Sequence, residues 1–77
     1  MKIYRVATDD GAEERFFVNE QRATEYGLTL LDEVNSADWE RRDICKIYGV
    51  DSWEEARKLA IDEGEDGVWI REIEVIE

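Results

Sequence analysis

Histidine is absent from this 77-residue chain. Its absence removes the Ser–His and Cys–His arrangements that activate nucleophiles, and with them the usual transition-metal ligand. Proline is absent too, and no low-complexity block or linker interrupts the sequence. A single cysteine, Cys45, excludes an intramolecular disulfide, which fits a reducing compartment. No apolar run approaches the ~18 residues that suggest a membrane span. The opening, Met1-Lys2-Ile3-Tyr4-Arg5, reads as a strand rather than a signal peptide. Cations are scarce, with ten Lys and Arg against twenty-one Asp and Glu, for a formal net charge of −11. A field of that sign repels nucleic acid, anionic membranes and acidic substrates, and it attracts basic protein surfaces. A halophilic origin is a second explanation of the same excess.

What is present supports one folded domain spanning 1–77. Hydrophobic residues make up 43%, including three Trp, three Tyr and two Phe, which is too rich for a disordered chain. A domain this small buries roughly 60–65% of its unfolded surface, so its stability margin is thin.

Residues 2–8 and 15–18 are rich in β-formers, and the Asp10-Gly11 step between them predicts a hairpin turn. Asn19 reads as the N-cap of a helix over 20–34, with Val18 and Ala23 placed as a hydrophobic staple. Ala23, Tyr26, Gly27, Leu30, Leu31 and Val34 follow helical spacing. Residues 36–50 are ambiguous. As a helix capped by Asn35 or Ser36 they bring Ala37, Arg41, Ile44, Cys45 and Tyr48 to one face, with Gly49 as the stop. As a strand, Ile44, Lys46, Tyr48 and Val50 alternate against Cys45 and Ile47. The helix is favoured. Ser52-Trp53-Glu54-Glu55 is a capping box, followed by an inner stripe of Trp53, Ala56, Leu59 and Ala60, and Gly64 ends the helix. Residues 68–76 read as a final strand, with Trp69, Ile73 and Val75 on one face. The expected fold is α+β, a three-stranded antiparallel sheet with helices on one face, in the order ββαααβ (alternatively ββαβαβ). The first strand is expected in the centre, bringing Lys2 near Glu74 and Glu77.

Three constellations bear on chemistry. Arg41 and Arg42 near Cys45 could lower its pKa, but its apolar stripe marks it as a core cysteine. Asp62-Glu63-Gly64-Glu65-Asp66-Gly67 invites a calcium loop, yet the third and twelfth positions of that loop would be Gly64 and Ile73. Asp43 to Ser52 resembles the turn of a helix-turn-helix module. The helix that follows presents Glu54, Glu55, Asp62 and Glu63 against Arg57 and Lys58, the wrong sign for phosphate. The expectation is therefore a non-enzymatic protein with no cofactor or metal and no direct nucleic-acid binding.

The acidity is uneven. Residues 1–50 hold eleven acids and seven bases, net −4, while the last 27 hold ten acids and three bases, net −7. If the three helices alternate in direction, the third ends beside the hairpin turn. Asp62, Glu63, Glu65 and Asp66 would then join Asp9, Asp10, Glu13 and Glu14 in one acidic pole.

In size and charge, over its whole length, the chain resembles the small phage-encoded inhibitors of bacterial defence, the anti-CRISPR and anti-restriction proteins. That resemblance implies a stoichiometric inhibitor in the cytoplasm of a bacterial host. It would dock on a basic nucleic-acid-binding surface of a defence effector, with carboxylates standing in for phosphates. The alternative is a small acidic adaptor or assembly subunit that binds through an apolar outer sheet face bearing Phe17 or Ile70, and a homodimer through that face is a further possibility.

Overall fold

The computed structural model describes residues 1–76. Its elements are β1 (Lys2–Thr8), β2 (Glu14–Phe17), α1 (Glu20–Val34), α2 (Asp38–Tyr48), α3 (Trp53–Glu63) and β3 (Val68–Glu74). This is the ββαααβ order of an α+β domain, so the ambiguous stretch is helical. The sheet order is β2-β1-β3, with both pairings antiparallel. β1 is therefore central, and Lys2 lies opposite Glu74. Its ammonium sits 3.4 Å from Glu72, while the chain's amino terminus sits 3.5 Å from Glu74. Glu77, the other expected neighbour of Lys2, lies outside the described residues.

Local chemistry explains most of the boundaries. In the hairpin, Asp10 Oδ1 accepts from the Thr8 hydroxyl at 2.7 Å and from the Ala12 N–H at 3.0 Å. Gly11 supplies the positive φ of 75° that the turn requires. Asn19 caps α1 by accepting from the Arg22 N–H at 3.0 Å. Val18 is 70% exposed, so the expected staple onto Ala23 is not formed. The α2 N-cap is Ala37, not Asn35 or Ser36; Glu40 compensates by accepting from the Ala37 N–H at 3.2 Å. Asn35 is buried instead and serves the end of α1. Ser52 caps α3 by accepting from the Glu55 N–H.

Alternation along the strands assigns the two sheet faces. Val6 and Val68 are fully buried beneath the helices, where they join Ala23, Leu30, Leu31, Ile44, Ala56, Ala60 and Ile61 in one core. Small residues let the helices approach closely. A methyl group added at Gly27 would lie 2.9 Å from Ile61 Cδ1 and 3.2 Å from Ile70 Cδ1. The expected α3 stripe needs one correction: Leu59 is 41% exposed and Ile61 is buried. Helical spacing from Trp53 runs through Ala56, Arg57, Ala60 and Ile61, which places Leu59 further round the helix. Val34, expected on the α1 stripe, is also largely exposed.

The outer sheet face needs a second correction. Phe17 and Ile70 point towards the helices. Phe17 packs on Tyr26 with ring centroids 5.4 Å apart, and Ile70 packs beside Gly27. The register explains why: Phe17 pairs with Tyr4 and Ile70 with Val6, both on the helix side. Phe16, Trp69 and Ile73 occupy the outer face in their place.

Asp32 fastens α3 to α1. Its carboxylate accepts from Trp53 Nε1 at 2.8 Å, Arg57 Nε at 3.0 Å and Arg57 Nη2 at 2.8 Å. Arg41 completes the node from α2. It donates to the carbonyls of Asp32 and Asn35 and lies 5.3 Å above the Trp53 ring. Trp53 and Arg57 thus sit at the end of α1, whereas Ile61 sits at Gly27 in its middle. α3 therefore runs antiparallel to α1, not parallel to it as simple alternation of three helices implied.

Asp32→Ala should lower the free energy of unfolding by about 2–3 kcal/mol, because it strands a mostly buried guanidinium and an indole N–H. Urea denaturation checks this, and a loss below about 0.5 kcal/mol, the scale of a surface pair, would remove the node from the account of stability.

Candidate functional site

The acidic loops meet where β1 pairs with β3. Thr8 lies opposite Val68, and the Asp9 N–H donates to the Gly67 carbonyl at 2.9 Å. The hairpin loop and the α3–β3 loop are therefore neighbours, although α3 itself runs the other way. The return is made by residues 64–67. Gly64 turns with φ 70° and Gly67 with φ 101°. A Cβ at Gly67 would lie 2.8 Å from Val34 Cγ1, so the loop passes too close to α1 for a side chain.

Asp66 is tied down on both sides. Its carboxylate accepts from the Tyr48 hydroxyl at 2.8 Å, and its carbonyl accepts from Asn35 Nδ2 at 3.2 Å. Burial pushes the Tyr48 phenol well above its ordinary range, and the hydrogen bond to Asp66 raises it further. The charges of Asp66, Glu63 and Glu65 act in the same direction. Asp10 is held below the usual carboxylate range by the Thr8 hydroxyl and then by the Ala12 N–H.

The eight acids of the expected pole therefore divide. Asp10 shapes the hairpin and Asp66 anchors the returning loop. Glu14 turns to the outer sheet face, where it accepts from Arg5 Nε at 2.8 Å. Asp62 lies apart from the hairpin. It lines an open groove of about 400 Å³ with Glu20, Glu72, Thr24 and Tyr4. Desolvation raises the Tyr4 phenol, as do the charges of Glu20 and Glu72. That leaves Asp9, Glu13, Glu63 and Glu65. All four are exposed, and no cation or hydrogen-bond donor among the described residues engages their carboxylates. Tyr48, Asn35 and Gly67 were missed by reading the sequence. Only Gly67, next to an acidic run, offered a signal there.

Other candidate chemistry can be placed as well. Among the described residues, no group of three His, Cys, Asp or Glu side chains is arranged to hold a metal ion. Cys45 is half-buried, and the two arginines near it are engaged elsewhere, Arg41 on the α1 carbonyls and Arg42 on Asp38 at 2.6 Å. α2 and α3 do form a helix–turn–helix shape through residues 49–52. Glu54 on α3 is paired with Lys58 and Arg57. No helix among the described residues is long and apolar enough to cross a membrane. No protein-family model, curated protein or solved structure matches the chain.

The sign of the alkaline response follows from the Tyr48 shift. A phenol whose folded pKa is raised contributes stability that is fully present below its unfolded pKa, about 10, and is lost as pH rises beyond it. Wild-type stability should fall above that pH. Tyr48→Phe should cost about 1 kcal/mol at neutral pH through the lost Asp66 bond, and should flatten the alkaline fall, leaving the smaller Tyr4 contribution. Urea midpoints across an alkaline pH series test this; an unchanged slope in the variant would refute it.

Proposed function

We propose that the protein is a non-catalytic, acidic protein-binding inhibitor. It docks the hairpin end of its sheet on a basic surface that otherwise holds nucleic acid, in the manner of the phage-encoded inhibitors of bacterial defence that it resembles in size and charge. The observation that carries this reading is the bond from the Asp9 N–H to the Gly67 carbonyl. It joins two acidic segments more than fifty residues apart into one surface. Asp9, Glu13, Glu63 and Glu65 are the exposed, unpaired carboxylates of these two segments, whose loops are held by Asp10, Gly67 and Asp66. Exposed carboxylates on a rigid frame can occupy phosphate positions without first being ordered, which limits the entropic loss on binding. The long-range field of a −11 chain speeds encounter with a basic cleft.

The reading predicts competition with nucleic acid and a steep salt dependence. With an effector captured from bacterial lysate, wild-type affinity should fall by about tenfold or more as salt rises through the range in which the Debye length drops below ~10 Å. Changing Asp9, Glu13, Glu63 and Glu65 together to Lys shifts the net charge by eight, from −11 to −3. That variant should lose binding while its urea midpoint stays the same or rises, because like-charge repulsion is relieved. Affinity that ignores salt, or a quadruple variant that binds as tightly as wild type, would make the acidic end a solubility feature instead.

A further inference from the structure

We propose that the free edge of β3 takes up an extended basic segment of a partner protein as a fourth strand, its cations set in the acidic groove beside Asp62. The sheet ends at β3, with no strand beyond it among the described residues. Two bonds fix which of its backbone groups are unused. The Val75 N–H donates to the Met1 carbonyl at 2.8 Å, and the Asp9 N–H to the Gly67 carbonyl at 2.9 Å. Both pairs continue the β1–β3 register, in which odd residues face odd residues. Bonded and unbonded pairs alternate along an antiparallel ladder. The odd residues of β3 therefore direct their N–H and C=O groups at β1, and those of Val68, Ile70, Glu72 and Glu74 point away from it. The hairpin end of this edge is closed: Val68 is fully buried, and a Cβ at Gly64 would lie 3.2 Å from Trp69 Cβ. Glu72 and Glu74 are exposed, and that stretch of the edge is open.

Charge rejects a second copy here and admits a cationic strand. Antiparallel self-pairing centred on Arg71, Glu72 or Glu74 sets that residue against its own copy, and pairing centred on Ile73 sets Glu72 against Glu74. Like charges directly opposite are destabilising. Pairing centred on Ile70 needs the edge at Val68, which is closed. The register also assigns the side chains. Glu72 lies opposite Tyr4, on the helix side. With Asp62 and Glu20 it lines the open groove of about 400 Å³ between α1, α3 and the sheet. Lys2 pairs with Glu72 at 3.4 Å, and no cation among the described residues engages Asp62 or Glu20. Three carboxylates thus face one ammonium. Ile61 and Ile70 line the same groove and offer the aliphatic stem of a lysine an apolar bed. Among the described residues α3 touches β3 but neither β1 nor β2, so Asp62 in its last turn stands on the side of the free edge.

The segment that fits alternates in character. In an antiparallel pair the residue opposite Glu72 exchanges both main-chain bonds with it, and its side chain rises on the helix side, towards the groove. Cations belong at that position and two residues either way. The residues between them fall on the outer face beside Ile73, 36% exposed, where apolar side chains pack across the strands. Main-chain bonds give such an addition its affinity, and the alternate side chains give its specificity. A contact this short belongs to the weak, transient class. The open edge and the acidic hairpin end are separate surfaces, so either can bind without the other.

The test is amide hydrogen exchange and chemical-shift mapping by NMR on the isotope-labelled protein. In the free protein the amides of Glu72 and Glu74 should exchange about tenfold faster, or more, than those of Arg71 and Ile73, which bond to β1. Equal protection would mean a closed edge and would overturn the proposal. A short capped peptide of alternating Lys and Val, titrated to millimolar concentration, should protect Glu72 and Glu74 and shift the signals of Asp62 and Ile70. The same peptide N-methylated at its lysines keeps its charge but loses the donors that face β3, and should bind about tenfold more weakly or not at all. Asp62→Asn combined with Glu20→Gln should weaken the unmodified peptide several-fold while leaving the circular dichroism spectrum unchanged, since both residues are exposed. Shifts gathered at Asp9, Glu13 and Glu65, with no protection at Glu72 and Glu74, would refute the added strand and assign the attraction to the acidic end alone. An N-methylated peptide that binds as tightly as the unmodified one would refute it as well.

Discussion

The carboxylate of Asp32 is the point on which the helical layer turns. It stands in the last turn of α1, where a negative charge is unfavourable to the helix macrodipole. Its neighbours explain its place there. Arg57 and Trp53 of α3 donate to its two oxygens, and Arg41 of α2 caps the carbonyls at the same end. Without this node, α3 would be held to α1 mainly by alanines and Ile61, residues that bury little area each. The fully buried core includes three alanines, so apolar burial alone gives this domain a narrow margin. A partly buried, multiply bonded ion pair fixes which end of α3 meets which end of α1, a choice that the small side chains make only weakly.

That choice sets up the acidic end. Because α3 runs antiparallel to α1, its last turn points away from the hairpin and carries Asp62 towards Glu20 and Glu72. The chain must then double back to begin β3 opposite Thr8. Two glycines with positive φ and the close pass at Val34 make the return possible. Asp66 is pinned to Tyr48 and Asn35 during that return. The acidic loop is thus held by the constraint that brings β3 into register with β1, and its backbone is fixed at Asp66 and Gly67.

Much of the fold was legible because periodicity and caps agreed. The hairpin, the 20–34 helix with its Asn19 cap, and Gly49 and Gly64 as stops all follow from local chemistry that tertiary packing did not override. Residues 36–50 were ambiguous because Ile44, Lys46, Tyr48 and Val50 satisfy period two, while Ile44, Cys45 and Tyr48 satisfy period 3.6. The structure resolves the matter through Gly49 and the packing of Ile44, neither of which is a matter of periodicity alone. The sheet faces were misassigned at Phe17 and Ile70 because a one-residue error in register exchanges the two sides completely. The Asp32 node was invisible for a different reason. It joins residues 21 and 25 positions apart, and nothing in a run of charges tells which acid a buried arginine will choose.

For the site, composition located the acidic segments but could not divide the acids by task. Three of the eight are occupied with building the structure: Asp10 in the turn, Glu14 on Arg5, and Asp66 on Tyr48. Asp62 is carried to another side of the molecule. A partner approaching the hairpin end would therefore meet fewer free carboxylates than the net charge suggests, and those it meets stand on a loop framed by hydrogen bonds. The distinction matters because a diffuse −11 field and four positioned carboxylates act on different steps of binding. The field governs how often a basic surface is encountered and is screened by salt. In a complex with a basic cleft, the carboxylates facing it would govern how long the complex lasts, since only they can be matched one by one to cations.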